Sequence, residues 1–550
     1  MQLYHFLRQE STAFTNQMVV LTCAAGLIQG ILVAILIRAA GSATPDELNF
    51  QLFLFFAIGI SAFIYCRRYT LFRISFVAEE VIERVRMRLA DKIRRSELVD
   101  IEAQGSGRIY STLTTDTQSI SQAAGMLVNV VSSCIMVVAA MGYLFILSPV
   151  IFGLTAAFFA FVYYYFVVRQ GENQRKLHLA SEVERQYFDS LDDLIHGLKE
   201  LKQSDRRNEE FYSDRLKKLS EQALELRTDV AQSLNRGLVL AQGLFYSLLG
   251  IIVFIIPNIT PDEVDMIAPA TAMVVFMIGP LGEVIGSFQI ISKGIVAIVR
   301  LKELEARLDK PKSGNLDTPD AVPGDPFGEI QEIRCEACEF TYPSLNGNSG
   351  SFTLGPIDFS LKKGEIVFIV GGNGSGKSTF MRLLVGLYSP SKGRILVNNR
   401  PVTGPLRQNY RNLFGTIFTD FHLFDEMYGI DTPSPEQSTE LLQQMQLVDK
   451  TRIEGRRITN RKLSTGQRKR LAMIITLLED RPFLVFDEWA ADQDPGFREY
   501  FYRDLLPHFR KAGKTLIVVS HDDRYFDTGD RCLKMEFGKF IPYEVKGNPS

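Results

Sequence analysis

A chain of 550 residues, 46% of them hydrophobic, is too long for one ordinary core and calls for two or more domains. Its 61 basic and 63 acidic side chains leave a net charge of −2, which argues against a bulk basic surface and hence against a nucleic-acid partner. The six cysteines are scattered, with Cys23, Cys66 and Cys134 inside apolar runs, which does not resemble a secreted disulfide framework.

The N-terminus, MQLYHFLRQESTAFTNQ, carries few positive charges and is followed by no small-x-small cleavage site, so no cleavable signal peptide is expected. Six apolar segments then approach the roughly 20 residues that span a bilayer: Met18–Ile37, Phe50–Cys66, Met126–Leu147, Val150–Val168, Leu238–Ile256 and Met266–Ile285. Ser148-Pro149 separates the third from the fourth as a tight hairpin, and Pro257–Glu263 joins the fifth to the sixth. Between spans two and three, and again between four and five, charged helical patterns such as VAEEVIERVRMRLADKIRRSEL predict long water-exposed arms. Arg67, Arg68 and Arg73, Arg169, Arg175 and Lys176, and Lys293 and Arg300 crowd the arm side of the spans, which places the arms and both termini in the cytoplasm.

Glu283 is an ionisable residue within the last apolar stretch. It is either part of a transport pathway or close enough to the cytoplasmic end to be solvated. Tyr163-Tyr164-Tyr165 reads as an interfacial aromatic belt. A linker rich in Pro, Gly and Asp occupies 311–328 and separates a membrane domain, 1–310, from a second domain, 329–550. Cys335 and Cys338 form a lone C-x-x-C without a second ligand pair and read as part of a strand, IRCEACEFTY.

In the second domain the apolar run Ile366–Val370, read as a buried parallel strand, is followed by Gly371-Gly372-Asn373-Gly374-Ser375-Gly376-Lys377-Ser378-Thr379 and a helix. This is a P-loop in its strand-to-helix setting: the glycines let backbone N–H groups turn toward phosphate oxygens at a helix N-terminus. Lys377 is placed to reach the β- and γ-phosphates of ATP, and Ser378 to offer a hydroxyl to Mg²⁺. A second buried strand, Phe483–Phe486, ends in Asp487-Glu488, where Asp487 is the expected Mg²⁺ partner and Glu488 the expected general base for the attacking water. A third apolar strand, Leu516–Val519, delivers Ser520-His521 to the same edge.

Leu463-Ser464-Thr465-Gly466-Gln467, about 20 residues before the Asp-Glu pair, resembles the signature motif of ATP-binding cassette proteins, with Thr465 in place of the usual glycine. The six-span half, including GRIYSTLTTDTQSIS, is similar to the exporter type of that family. The resemblance implies an all-α six-helix transmembrane domain of the type IV exporter fold followed by an α/β P-loop cassette. It assigns adenine stacking to Tyr342, γ-phosphate orientation to His521, a contact with the opposite subunit to Asp494, and closure on the partner's ATP to Ser464, Gly466 and Gln467. At the usual metal-sensing glutamine this chain carries Thr419, followed by Asp420. That segment, with Asp487–Pro495 and Ser520–Asp523, resembles the cyclic-peptide and siderophore exporter branch, similar to pyoverdine, syringomycin and microcin exporters.

One P-loop and one signature per chain imply a homodimer of half-transporters in the bacterial inner membrane, in contact with membrane lipid. ATP would drive a cyclic or nonribosomal peptide, a siderophore or its precursor, from cytoplasm to periplasm by alternating access. Export components in the periplasm or outer membrane are further candidate partners. A lipid or drug flippase, and a membrane-anchored ATP-dependent regulator or scaffold, are the alternative readings.

Overall fold

A computed structural model describes residues 2–11, 14–41, 49–261, 264–309, 322–342, 352–541 and 543. Most of the expected linker, 311–321, and two residues of the loop between the last two spans, 262–263, lie outside the described residues. The chain forms two compact units: Met1–Met87 with Thr112–Leu301, and Arg88–Ser111 with Lys302–Ser550.

Among the described residues six helical stretches are long and apolar enough to cross a membrane: Asn16–Gly41, Phe50–Arg95, Ile109–Leu147, Pro149–Phe166, Asp205–Ile259 and Val264–Leu308. The arms are continuations of the spans. The helix Phe50–Arg95 has 46 residues, which at about 1.5 Å each is roughly twice the ~30 Å hydrocarbon core. Pro149–His196 has 48. Ser148-Pro149 makes the expected break: Ser148 leaves the helical region and its Oγ accepts from the Ile151 N–H at 3.4 Å, while proline takes the first helical position, where its missing N–H costs nothing.

The first and third spans approach closely through glycine. A Cβ at Gly26 would lie 2.4 Å from the Ser132 carbonyl oxygen, and one at Gly30 would lie 2.8 Å from the Ala139 Cβ. Without a hydrophobic driving force between helices in lipid, such close approach supplies van der Waals contact. Val33, Met136, Leu144, Phe245, Ile252 and Met273 fill the core between the spans.

The second unit holds two main sheets. Strands β1 (Glu332–Thr341), β2 (Thr353–Lys362), β4 (Lys392–Val397) and β5 (Arg400–Pro401) form one, in the order β2-β1-β4-β5. The other is built from β3 (Ile366–Val370), β6 (Phe414–Ile417), β9 (Phe483–Asp487), β10 (Thr515–Val519), β11 (Arg531–Glu536) and β12 (Lys539–Ile541), in the order β12-β11-β3-β10-β9-β6. A short hairpin, β7 (Ile453–Glu454) with β8 (Arg457–Ile458), stands apart.

All pairings in the larger sheet are parallel except β11 with β12. β3, β9 and β10 are buried throughout, as a parallel sheet covered on both faces requires. Val367, Ile369, Val485 and Ile517 pack to one side with Phe380 and Leu383. Phe368, Leu484, Phe486 and Val518 pack to the other with Leu471, Ile474 and Phe501.

Cys335 and Cys338 lie on β1 as buried free thiols, with an irregular register between them, in agreement with the strand reading. Residues of the first arm are stitched into this second unit. Glu97 pairs with Arg407 at 2.9 Å and Arg411 at 3.7 Å, and the Tyr388 hydroxyl donates to Glu102 at 2.6 Å.

Candidate functional site

Four parallel strands deliver the site. β3 runs into Gly371, β9 into Asp487-Glu488, β10 into Ser520-His521, and β6 into Phe418-Thr419. Val519 lies opposite both Ile369 and Asp487, and Ile417 lies opposite Phe486, so all four segments leave the sheet at one carboxyl edge. Ligands of open α/β sheets bind outside such an edge.

The P-loop turns through Gly374 (φ 78°) and Gly376 (φ 106°), backbone values that L side chains rarely adopt. It then starts the helix Lys377–Leu384. The Lys377 ammonium is 6% exposed and donates to the Gly371 and Gly372 carbonyls at 2.8 and 3.2 Å. The loop therefore wraps its own cation, with Asn373 and Gly374 exposed at its tip and the helix N-terminus behind. Positive charge and a helix N-terminus together favour a phosphate.

Asp487 is buried, which lifts its carboxyl above the ordinary aspartate range. The hydroxyls of Ser378 and Thr419 and the Lys377 ammonium pull the other way, and the neighbouring Glu488 adds to the rise. Ser378 Oγ donates to Asp487 Oδ2 at 3.1 Å, while Oδ1, like the buried Ser375 hydroxyl, has no partner among the described residues. No group of three or more His, Cys, Asp or Glu residues gathers to cage a metal among them. A hydroxyl beside one orphaned carboxylate oxygen suits a small hard cation that takes its remaining ligands from phosphate and water.

Glu488 has φ 50° and ψ 36°, in the left-handed region. Its Oε1 lies 3.2 Å from His521 Nε2 and 3.7 Å from Lys377 Nζ. His521 and the P-loop lysine thus converge on the carboxylate of the expected base. Thr419 Oγ1 donates to the Asp487 main-chain oxygen at 3.2 Å, so it joins the same cluster. Asp420 is largely exposed and turns to Arg382 of the P-loop helix, at 3.0 Å. Tyr342 is half-buried; its hydroxyl lies 3.2 Å from Thr379 Oγ1 and its ring packs edge-on against Phe340, beside the P-loop.

Ser464, Gly466, Gln467 and Asp494 form a second cluster. Ser464 caps the helix Thr465–Leu478 in a reciprocal capping box with Gln467. A Cβ at Gly466 would lie 2.6 Å from the Asp492 carbonyl, so only glycine fits there. Gln493 donates to the Gly466 carbonyl at 3.1 Å, and Asp494 caps the next helix through the Phe497 N–H at 2.9 Å while pairing with Arg470 at 2.5 Å. Among the described hydrogen bonds none links 464–467 to the P-loop of the same chain.

Within the spans, Glu283 is exposed and accepts from Ser133 Oγ at 2.5 Å. One turn along the third span, Asn129 accepts from Arg67 at 2.9 Å.

Two participants escaped the sequence reading. Arg382 joins Glu102, Asp420 and Tyr388, and Lys469 reaches the Glu488 main chain. The signal for Lys469 was available: a charged residue on the inward face of an apolar helix demands a partner.

The ABC transporter transmembrane region model matches residues 16–255, and the ABC transporter model matches 354–491. The chain is 30% identical over 530 residues to the ATP-binding protein SyrD of Pseudomonas syringae pv. syringae, covering 94% of this chain and 93% of that protein. It is 24% identical to an ATP-dependent lipid A-core flippase of Aliivibrio fischeri, covering 91% and 86%. The fold matches that of a bacterial Atm1-family ABC exporter with ATP bound at a TM-score of 0.72, covering 96% of this chain and 93% of that one, at 19% identity. The chain belongs to the ABC transporter family, as an ATP-hydrolysing member with its membrane region and its ATPase on one polypeptide.

Proposed function

We propose that the protein is a homodimeric half-transporter of the bacterial inner membrane that exports a cyclic or nonribosomal peptide, a siderophore or its precursor, from cytoplasm to periplasm. The observation that carries the catalytic part is the convergence of His521 and Lys377 on the Glu488 carboxylate, next to an orphaned oxygen of buried Asp487.

In this reading Gly371, Asn373, Gly374, Ser375, Gly376 and Thr379 cradle the phosphates, Lys377 neutralises them, and Tyr342 stacks on adenine. Glu488 takes a proton from the water that attacks the γ-phosphorus, and His521 orients both water and carboxylate. Ser378 and Asp487, with Thr419 behind them, would hold Mg²⁺, which supplies charge neutralisation between the phosphates. Asp420, engaged by Arg382, stands as an outer residue of that group.

The homodimer is supported by the split between the two clusters. Ser464, Gly466, Gln467 and Asp494 are tied to one another and to the 492–494 segment, and their ligand face is left for a second subunit's nucleotide. Glu283 is the candidate cargo contact, since an exposed carboxylate on an apolar span is costly unless it meets water or a ligand.

The peptide reading is supported by the branch-like segments around Thr419 and Asp487–Pro495 and by the near full-length similarity to SyrD. A lipid substrate is the second reading, favoured by the lipid A-core flippase similarity over 91% of the chain. The deciding experiment compares the peptide content of cytoplasm, periplasm and medium by mass spectrometry in cells producing wild-type protein or Glu488→Gln. Intracellular accumulation of a peptide only with Glu488→Gln supports peptide export. An unchanged distribution, with ATPase stimulation of the purified protein by lipid, supports the flippase reading instead.

A further inference from the structure

Lys469 is the fifth residue of the helix Thr465–Leu478, and its side chain is 2% exposed. We propose that it is a positioning residue for hydrolysis: its ammonium holds the Glu488 peptide in the conformation that aims the Glu488 carboxylate at the P-loop. The proposal rests on the reading of Glu488 as the base.

Three bonds carry it. Lys469 Nζ donates to the Glu488 main-chain oxygen at 2.8 Å, and it pairs with Asp492 Oδ2 at 2.7 Å. In the opposite direction, the Trp489 indole N–H donates to the Lys469 main-chain oxygen at 2.9 Å. The helix and the Glu488-Trp489 dipeptide are thereby locked by reciprocal bonds.

The lock falls at a residue that needs one. Glu488 sits at φ 50° and ψ 36°, a conformation disfavoured for any residue with a Cβ, which persists only where its surroundings over-determine it. Were that peptide to relax toward ordinary backbone values, the side chain would swing away from His521 Nε2 and Lys377 Nζ, now at 3.2 and 3.7 Å. A lysine ammonium is rarely buried without partners, and here the Glu488 main-chain oxygen and the half-exposed Asp492 carboxylate are the groups that hold it in one position. The same helix is capped by Ser464 and carries Gly466 in its first turn, and Gln493 further ties Gly466 to the loop after the base. The signature segment and the base are therefore linked by hydrogen bonds through Lys469 and Gln493.

The test uses the full-length transporter reconstituted in lipid, with ATP turnover and binding of a fluorescent ATP analogue as readouts. Lys469→Met, similar in shape but without the donor, is expected to lower kcat on the order of 10- to 100-fold, as a misplaced catalytic group does, while KM for ATP stays within about twofold. Lys469→Gln, which keeps an N–H donor, is expected to recover part of that loss. In a Glu488→Gln background Lys469→Met is expected to add nothing, because it acts through the carboxylate already removed.

A wild-type kcat for Lys469→Met alongside an inactive Glu488→Gln overturns the positioning role and leaves the base in place. A Glu488→Gln protein that still hydrolyses ATP overturns the base reading itself. Independent, additive losses in the double variant also overturn the proposal. If Lys469→Met does not accumulate, Asp492→Asn carries the test, since this half-exposed side chain is the ammonium's second anchor. It is expected to lower kcat at unchanged KM, and an unchanged kcat counts against the role.

Discussion

Trp489 is the only tryptophan in the chain and directly follows Glu488, so substituting it reports on how firmly the catalytic segment is held. The side chain is 1% exposed, lies tilted against Phe501 with ring centroids 4.5 Å apart, lies 6.1 Å from Phe497 and 6.5 Å from Phe486, and donates its indole N–H to the Lys469 carbonyl at 2.9 Å. Trp489→Phe keeps one ring and removes the donor. The Lys469 carbonyl lies inside a helix and retains its helical partner, so the lost bond costs about 1 kcal/mol. The missing ring area adds about 1 kcal/mol at ~25 cal/mol per Å².

Trp489→Ala empties the site and costs about 3–5 kcal/mol for the cavity alone. At roughly 2–4 °C per kcal/mol for a unit of this size, Trp489→Phe should lower the melting temperature of the ATPase unit by about 4–8 °C, and Trp489→Ala by at least about 6 °C and more than Trp489→Phe. Differential scanning calorimetry of the detergent-solubilised full chain resolves this without relying on tryptophan fluorescence. A Trp489→Ala transition within about 1 °C of wild type, or equal shifts for the two variants, would refute the reasoning.

Replacing Arg407 with Met should destabilise the second unit, by less than the about 3–5 kcal/mol of a wholly unpaired buried charge, because Glu97, 11% exposed, keeps only the longer 3.7 Å pairing with Arg411. Adding Glu97→Gln should return much of the loss in the same calorimetric assay, and failure of that rescue would count against the pair. Gly466→Ala places a Cβ 2.6 Å from the Asp492 carbonyl, so it should sharply reduce ATP turnover while leaving nucleotide binding at the P-loop intact. Full turnover would show that the loop can yield.

Asp494→Ala removes the cap of the helix Pro495–Tyr500 and should cost about 1 kcal/mol at neutral pH. The Phe497 N–H, and then Arg470, hold the Asp494 carboxyl below the usual aspartate range. Its contribution is therefore complete above the unfolded pKa of about 3.9 and lost as pH falls through the lower folded value. The melting-temperature gap between Asp494→Ala and wild type should narrow on acidification below about pH 4, and a gap that widens there would contradict the assignment.

Much of the site was legible because its pieces are contiguous and locally determined. Gly374 and Gly376 are glycines because the backbone turns through positive φ, and Ser464 with Gln467 writes a capping box in four residues. The buried strands carry Lys377, Asp487 and His521 to their carboxyl ends whatever the rest of the chain does. The apolar spans and the Ser148-Pro149 break are equally local, since a bilayer reads only length and polarity.

Other features depend on pairs that no spacing encodes. Arg382 meets Asp420 across 38 residues and Glu97 meets Arg407 across 310, the latter drawing a piece of the first arm into the ATPase unit. Lys469 reaches Glu488 across 19 residues because helix and strand pack face to face. The amino-acid sequence by itself determined the spans and the P-loop motif and marked the candidates for base, histidine and signature. Only the tertiary structure decided which charges neutralise one another and which backbone the buried lysine holds, because ion pairs and strained peptides are selected by distance in the folded chain.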